Sequence, residues 1–223
     1  MITLTKPPLS PLLDRLFVEA EQSWESPGFR DYWSILSDAE KKRLMGSTSG
    51  YRDFYGRLKD LPLAVSRETG RLLYMLARSA GARSIVEFGT SFGISTLHLA
   101  AALRDNGGGH LITTEFEPSK VARARDNLTA AGLIDLVEIR EGDALETLAG
   151  DLPASIDLLL LDGAKGLYAD ILGLLENRLR PGALIVADNT DFSPAYRDRV
   201  GSPAHGYISL PLGHDVTLSM RSA

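Results

Sequence analysis

The sequence has no cysteine among its 223 residues, which excludes disulfides, thiolate metal sites and cysteine nucleophiles. It also lacks a basic excess, because 24 Lys and Arg stand against 29 Asp and Glu, and this argues against a nucleic-acid surface. No apolar run approaches the roughly 18 residues that cross a bilayer, and the start resembles no signal peptide. We therefore expect a cytoplasmic protein that acts on small molecules and binds neither nucleic acid nor membrane.

Short apolar runs alternate with helical patterns from Ser66 onward. The runs are SIVEF, HLITTEF, LVEI, IDLLLL and ALIVA, and a last pair, YISLPLG and DVTLSM, has no helical pattern between its halves. One of the intervening helices is expected over Tyr168 to Leu179. Strands that alternate with helices form crossover units and a parallel sheet. The pattern predicts an α/β fold, a Rossmann-like doubly wound, mostly parallel seven-stranded sheet with an antiparallel C-terminal strand in a terminal hairpin.

The first sixty or so residues show helix signals and no strand pattern. The segment SDAE at Ser37 to Glu40 is typical of a capping box, in which a serine and a glutamate satisfy each other's backbone amides. We predict an N-terminal helical cap over residues 1–62 and an α/β core over 63–223, both within one domain, 1–223. The aromatic clusters FRDYW and YRDFYG are expected to be core or dimer contacts, and a roof over the substrate site is the alternative.

The glycine-rich segment VEFGTSFGIS, between a predicted strand and a predicted helix, has three interpretations. A dinucleotide site requires a glycine where Ser91 stands, so a diphosphate fits poorly. The match to G-x-S-x-G suggests a serine hydrolase, with Asp188 and then His205 or His214 completing the order Ser, Asp, His. That fold needs strands and an oxyanion loop upstream, which this sequence does not show.

The third interpretation is a nucleoside-type ligand without a diphosphate, such as S-adenosylmethionine. It needs a glycine turn, as between Gly89 and Gly93, and an acid after the second strand for the ribose hydroxyls. Glu115 stands at that position, and a carboxylate accepts two hydroxyl hydrogen bonds at once. Ligands of such sheets bind beyond the carboxyl ends of the strands, so the acids at the other strand ends belong to the same site.

Four motifs together resemble those of the cation-dependent O-methyltransferases, the family of catechol O-methyltransferase and caffeoyl-coenzyme A O-methyltransferase. They are EFGTSFGIS, TTEFEP, EGDALETL and the pair LLLLDGAKGLY and LRPGALIVADN, of which the last is the most specific. The resemblance covers roughly Leu63 to Asn189. It implies a homodimer with S-adenosylmethionine as methyl donor and a small hydroxylated acceptor, with a vicinal-dihydroxy aromatic as the expected substrate.

The resemblance also implies roles for individual residues. The positions that would contact the methyl donor are Val65, Glu87 and Ser95 at the methionine end, Glu115 and Phe116 at the ribose and adenine, Asp143 and Ala144 beside the adenine, and Gly89, Ser91 and Asp162 in the loops between. Asp162, Asp188 and Asn189 would ligate a divalent cation, and Lys165 matches the catalytic lysine. Two carboxylates and one amide oxygen suit Mg²⁺, with Ca²⁺ or Mn²⁺ as alternatives.

These residues suggest a mechanism and leave an alternative open. A cation that binds two neighbouring hydroxyls of the acceptor lowers their pKa, and Lys165, with its own pKa lowered by the cation, would take or share the proton. Gly163 and Ala164 stand where relatives carry an acid or a bulky aromatic residue, so the acceptor is the least determined part. A metal-independent small-molecule methyltransferase of the same fold is the alternative function.

Overall fold

The computed structural model describes residues 2–24, 27–213 and 216–222 of the chain, so His214 lies outside the described residues. The segment before the sheet is helical, as predicted. Its helices are α1 (Leu9–Trp24), α2 (Pro27–Ile35), α3 (Asp38–Met45), α4 (Tyr51–Gly56) and α5 (Arg67–Ser79). Ser37 caps α3, and its backbone N–H donates the reciprocal bond to the Glu40 side chain, which confirms the predicted capping box.

Seven strands form a single sheet in the described part of the chain. In chain order they are β1 (Ser84–Phe88), β2 (His110–Glu115), β3 (Val137–Glu141), β4 (Ile156–Leu161), β5 (Leu179–Ala187), β6 (Tyr207–Leu212) and β7 (Val216–Arg221). Their spatial order is β3-β2-β1-β4-β5-β7-β6. The first five are mutually parallel, and β7 runs antiparallel to both β5 and β6. The predicted fold class is confirmed, including the terminal hairpin.

The remaining helices connect the strands and cover both faces of the sheet. They are α6 (Ile94–Asp105), α7 (Pro118–Ala130), α8 (Ala144–Thr147), α9 (Tyr168–Leu175) and α10 (Pro194–Val200). The strand order reverses between β1 and β4, which is where open α/β sheets bind their ligands. None of the described helices combines the length and the apolar character that crossing a bilayer requires.

The boundary between α9 and β5 differs from the sequence prediction. The helix expected to reach Leu179 ends at Leu175, and a 3-10 turn over Glu176–Arg178 follows it. Leu179 already pairs with Ile156 in the sheet, so β5 begins four residues before ALIVA. The ladder shifts register between Ile156 and Leu158, because Pro181 has no amide hydrogen to donate and Gly182 takes a φ of +78°.

The four consecutive leucines of β4 are explained by the two faces of the sheet. Leu158 and Leu160 pack into the core on one face, whereas Leu159 and Leu161 pack into the core on the other, and all four are fully buried. Each buried leucine contributes about 1.5–3 kcal/mol relative to an exposed one. The end of β4 is therefore held rigidly, and so is the position of the residue that follows it, Asp162.

Candidate active site

The loops after β1 and β4 touch each other through their backbones. Gly89 has a φ of +103°, and a Cβ at this position would lie 2.6 Å from the Gly163 nitrogen and 2.7 Å from the Asp162 carbonyl. A Cβ on Gly163 would in turn lie 2.6 Å from the ring of Phe88. Glycine is required at both positions because no side chain fits between the two loops. This contact closes the floor of the site.

A partly open cavity lies above the ends of β1, β2, β3 and β4, and we call it the glycine-loop cavity. Seven of the predicted donor-binding residues line it: Gly89, Ser91, Glu115, Phe116, Asp143, Ala144 and Asp162. The structure thus brings together, at one end of the sheet, positions that are up to 73 residues apart in the sequence.

Glu115 is anchored at the wall of this cavity by backbone amides. Its Oε2 accepts a hydrogen bond from the Ser91 N–H at 2.9 Å, and its Oε1 accepts from the N–H groups of Phe116 and Glu117 at 3.0 Å each. Burial raises the pKa of the carboxyl above its ordinary value, although Lys120 and these amides oppose the rise. A carboxylate has about four acceptor positions, so one remains for a ligand hydroxyl.

Asp143 is tied to α4 of the N-terminal segment. The Tyr51 hydroxyl donates to Asp143 Oδ2 at 2.7 Å, the Arg52 guanidinium pairs with the same oxygen, and the Leu145 N–H donates to Oδ1 at 3.0 Å. Partial burial raises the pKa of Asp143, but the three hydrogen bonds outweigh it and hold the pKa below its ordinary value. Tyr51 also meets the Phe116 ring edge-on at 6.4 Å, so α4 closes one side of the cavity.

Three other predicted donor contacts lie away from the wall of this cavity. Glu87 is fully buried, and its oxygens accept hydrogen bonds from the Ser95 and Thr96 hydroxyls at 2.5 and 2.6 Å. Burial raises its pKa to about 7. The Val65 side chain packs in the main core. Ser95 lines a narrower cleft beside Ser91 and Ala64. Both Glu87 oxygens are thus occupied by the hydroxyls of Ser95 and Thr96.

The predicted metal ligands and the predicted catalytic lysine line a second cavity, which we call the cap cavity. Asp162, Lys165, Asp188 and Asn189 contribute to it from the ends of β4 and β5. The opposite wall is apolar and comes from the N-terminal segment: Trp33, Met45, Phe54, Tyr55, Leu58, Leu63 and Ala64. The aromatic clusters expected in the core or at a dimer contact thus supply three of the wall residues, which corresponds to the roof alternative.

Lys165 forms an ion pair with Asp162, with 2.8 Å between Nζ and Oδ1. Both side chains are largely buried, and the Lys165 ammonium also lies 5.5 Å from the centre of the Tyr168 ring. Burial lowers the pKa of Lys165, but the charges of Asp162 and Asp188 and the nearby phenols outweigh it and raise the pKa well above its usual range. The protein's own groups therefore keep this lysine protonated at neutral pH.

Backbone contacts fix the segment after β5. The Asp188 N–H donates to the Leu161 carbonyl at 3.0 Å, and the Tyr168 hydroxyl donates to the Asp188 carbonyl at 2.8 Å. Asn189 takes a left-handed conformation with φ +52°, which asparagine tolerates better than most residues. Among the described residues no three acidic or histidine side chains cluster as a metal site. A cation here would rest on Asp162, Asp188 and the Asn189 amide oxygen.

The arrangement expected of a serine hydrolase is not assembled in the described part of the chain. Ser91 has a left-handed φ of +48°, but its hydroxyl accepts a hydrogen bond from the Leu63 N–H at 3.1 Å. His205 binds the Arg199 carbonyl through Nδ1, and His98 binds the carbonyl of Ile94. No described histidine is hydrogen-bonded to Ser91, so the structure gives that hydroxyl no general base.

Among the other lining residues of the glycine-loop cavity, the sequence analysis gave no role to Lys120, and it gave Tyr51 and Tyr55 a place over the site only as the alternative for their aromatic cluster. The two tyrosines lie on α4, and nothing in the sequence shows where that helix packs. Lys120 lies in the first turn of α7, five residues after Glu115, and the sequence alone predicts a solvated lysine in this place. Only its burial, with 3% of its surface exposed, identifies it as part of the site.

Comparisons with known proteins agree with this geometry. Residues 86–190 match the family described as "Methyltransferase domain". A catechol O-methyltransferase of Niastella koreensis is 38% identical over 130 residues, which cover 57% of this chain and 58% of that protein, less than two thirds of its length.

Two solved structures share the fold. The Streptomyces achromogenes O-methyltransferase TomG, described as involved in tomaymycin synthesis and as a complex with SAM, is 28% identical with a TM-score of 0.64, and the match covers 86% of this chain and 95% of that one. The Bacillus cereus O-methyltransferase in complex with SAH is 22% identical with a TM-score of 0.67, over 95% of this chain and 100% of that one. In its matched segment, its sheet order and the residues gathered at the strand ends, this chain is similar to O-methyltransferases.

Proposed function

We propose that this protein transfers a methyl group from S-adenosylmethionine to a hydroxyl of a small, vicinal-dihydroxy aromatic acceptor, with the assistance of a divalent cation. The observation that carries the proposal is that the two cavities are neighbours. The glycine-loop cavity and the cap cavity share Asp162, Tyr55 and Leu63 as lining residues. A donor in the first cavity and an acceptor in the second would therefore meet at Asp162, beside the Lys165 ammonium.

The donor site is supported by the polar groups of the glycine-loop cavity. Glu115 faces it with one acceptor position left, and Gly89 lets a ligand approach the backbone closely. The cavity holds no cluster of arginines or lysines of the kind that a diphosphate requires, because Lys120 is the one basic residue among its described lining residues. The related TomG structure, which is a complex with SAM, supports the same donor.

The acceptor site is supported by the contrast between the two walls of the cap cavity. Its floor carries Asp162, Asp188 and the Asn189 amide, and its roof carries the rings of Trp33 and Phe54, whose centres are 6.4 Å apart. An acceptor with a flat apolar body and two adjacent hydroxyls matches both walls. The relative from Niastella koreensis is named a catechol O-methyltransferase, which supports the same acceptor class.

The donor set of the floor fits a hard divalent cation such as Mg²⁺, with Ca²⁺ or Mn²⁺ as alternatives. Two carboxylates and an amide oxygen are the ligand types that these ions prefer, and three protein ligands leave positions for an acceptor. When bound, such an ion supplies positive charge that lowers the pKa of the acceptor hydroxyls and opposes the carboxylates that now raise the pKa of Lys165.

The chain's own residues then carry the transfer. With its pKa lowered by the cation, Lys165 would present Nζ as a neutral amine that takes or shares the proton of the attacking hydroxyl, while the aromatic roof excludes water from the reacting atoms. The acceptor oxygen forms a bond to the methyl carbon as the carbon–sulfur bond breaks, and the bonding electron pair stays on sulfur, which becomes a neutral thioether. Most of the acceleration comes from holding the two reactants in line across Asp162.

The first test measures methyl transfer from S-adenosylmethionine to a panel of vicinal dihydroxy aromatics, with Mg²⁺ and with excess chelator. The variant Asp188→Ala removes one predicted cation ligand. Asp191→Ala is its matched control, because Asp191 is exposed in the same segment and pairs with Arg197 at 2.7 Å. We expect transfer that requires Mg²⁺, is lost in Asp188→Ala and persists in Asp191→Ala. If no diol is methylated although the donor binds, the proposed acceptor class is wrong.

A metal-independent methyltransferase is the second candidate. The observation that favours it is the direct ion pair between Lys165 and Asp162, which already neutralises one of the predicted ligands without a cation. In that case the Lys165 ammonium donates a hydrogen bond to the acceptor oxygen, the proton of that hydroxyl passes to solvent, and chelator leaves the rate unchanged. The same experiment therefore distinguishes the two candidates.

We also propose a homodimer, which the exposed apolar edge of the sheet supports. Ile208 and Leu210 on β6 are 59% and 57% exposed, and Met220, which pairs with Ile208, is 37% exposed. Light scattering of the native protein and of Leu210→Lys tests the assignment. A native protein that scatters as a monomer would contradict it.

A further inference from the structure

Lys120 is an unusual residue of the glycine-loop cavity because it is charged and almost completely buried. It is the third residue of α7, it lines the cavity, and only 3% of its surface is exposed. Its Nζ lies 6.0 Å from the centre of the Phe92 ring. Within the described ranges its ammonium makes no hydrogen bond or ion pair, since no carboxylate oxygen lies within 4.0 Å of it.

Nζ of Lys120 is not among the fully buried polar atoms that lack a partner, so it is accessible from the cavity and can donate hydrogen bonds there. Removing a charged group from water is costly unless it is paired or hydrogen-bonded. Glu115, Glu117 and Asp60 surround Lys120 and stabilise its charge from a distance, while burial lowers its pKa. These carboxylates make the surroundings of Lys120 negative, but none of them accepts a hydrogen bond from its Nζ. The cavity itself is the direction from which an acceptor can come.

Glu115 identifies the kind of acceptor that fits. Three of its acceptor positions are taken by backbone amides, one remains, and the residue lines the same cavity as Lys120. A hydroxyl group can donate to this carboxylate and, with its lone pairs, accept from an ammonium at the same time. An apolar group can do neither, and an amine could donate but would repel Lys120. A ligand hydroxyl between Glu115 and Lys120 satisfies both.

We infer that Lys120 is a ribose-recognition residue of the methyl-donor site, whose Nζ donates a hydrogen bond to the ribose hydroxyl that donates to Glu115. The inference rests on the proposed function, since it takes the nucleoside of S-adenosylmethionine as the ligand of the glycine-loop cavity. It adds a cationic partner to the carboxylate that the sequence analysis assigned to the ribose. Lys120 thus selects nucleosides that carry this hydroxyl.

Calorimetric binding of S-adenosylhomocysteine and of its 2′-deoxy and 3′-deoxy analogues tests the inference. The proteins are the native chain, Lys120→Met, Lys120→Gln and the control Arg123→Met. Arg123 lies one turn further along α7, also faces the Phe92 ring, at 5.6 Å, and pairs with Glu19 outside the cavity. The measurements are made at pH 8, so that Glu115, whose pKa is raised by burial, carries its charge.

We expect Lys120→Met to weaken S-adenosylhomocysteine binding about 10-fold or more, the usual effect of losing a hydrogen bond to a charged group. For the analogue that lacks the bridging hydroxyl, Lys120→Met and the native protein should bind equally. Arg123→Met should bind all three ligands as the native protein does. If Lys120→Met does not fold, Lys120→Gln gives the same comparison, because it keeps most of the side-chain length without the charge.

Two results overturn the inference while leaving the proposed function intact. In one, Lys120→Met binds S-adenosylhomocysteine as tightly as the native protein. In the other, it weakens all three ligands by the same factor, which means that Lys120 only shapes the cavity. A native protein that does not bind S-adenosylhomocysteine at all refutes the proposed function itself, and the ribose role of Lys120 with it.

Discussion

Replacing Glu87 with glutamine should change how the stability of the protein depends on pH. Glu87 is fully buried beneath the glycine loop, and burial raises its pKa from 4.5 to about 7. Between these two values the folded protein holds a proton that the unfolded chain has released. Because the folded-state pKa is the higher one, the stabilising contribution is complete below pH 4.5 and is lost as the pH rises through about 7.

The magnitude follows from the difference between the two pKa values. Each pKa unit corresponds to about 1.4 kcal/mol, so the free energy of unfolding should fall by roughly 2–3 kcal/mol between pH 5 and pH 8 on account of Glu87 alone. Glutamine has nearly the same shape and carries no charge at any of these pH values. Of the Ser95 and Thr96 hydroxyls, which now donate to Glu87, one can still donate to the amide oxygen of glutamine and the other can rotate to accept from its nitrogen.

Urea unfolding of the native protein and of Glu87→Gln across this pH range, with chelator present, measures the effect. The free energy of unfolding of the variant relative to the native protein should rise with pH by those roughly 2–3 kcal/mol. Glu141→Gln, at an exposed position at the end of β3, controls for the loss of one negative charge. If the Glu87→Gln difference stays constant within about 0.5 kcal/mol from pH 5 to pH 8, Glu87 does not hold a proton in the folded state and the reasoning fails.

Two further substitutions test the loops of the site. Gly163→Ala should destabilise the protein by about 1–3 kcal/mol in urea unfolding, because its Cβ would lie 2.6 Å from the packed ring of Phe88; Gly173→Ala on α9, where nothing lies within 4 Å, should not destabilise it, and equal effects would contradict the packing argument. Ser91→Ala removes the acceptor of the Leu63 N–H and should weaken donor binding several-fold while methyl transfer persists. Loss of an esterase activity in Ser91→Ala would instead support the hydrolase alternative.

The sheet could be predicted from sequence because its strands are short, apolar and buried on both faces. IDLLLL is the clearest case, since four leucines in succession suit only a strand covered on each side, and the structure buries all four. The end of α9 could not be predicted in the same way. The residues from Glu176 to Arg178 continue a helical pattern, and the pairing of Leu179 with Ile156 ends it, a contact between distant parts of the chain.

The candidate site, like the sheet, could be predicted from the sequence only in part. Glu115, Asp143, Asp162 and Asp188 could be placed because each ends a strand, directly follows one or begins the turn after one, and the parallel strands bring these positions to one edge. Tyr51, Tyr55 and Trp33 could be placed over the site only as an alternative, because the packing of the N-terminal helices over the sheet depends on many weak contacts without a local signal. Lys120 is identified only by its burial in the folded chain, since the sequence around it is that of an ordinary amphipathic helix.

Gly89 contacts the backbone of Asp162 and Gly163 directly. The spacing of these two loops is therefore set independently of the shape of the cap cavity. With no side chain between these loops, their spacing is set by peptide groups, and point substitutions elsewhere do not readily alter it. The apolar wall of the cap cavity, in contrast, is built from side chains such as Trp33, Met45 and Phe54, which tolerate exchange one at a time. Under the proposed function, a scaffold of this kind can acquire new acceptors through its N-terminal helices and keep the distance between the reacting groups unchanged.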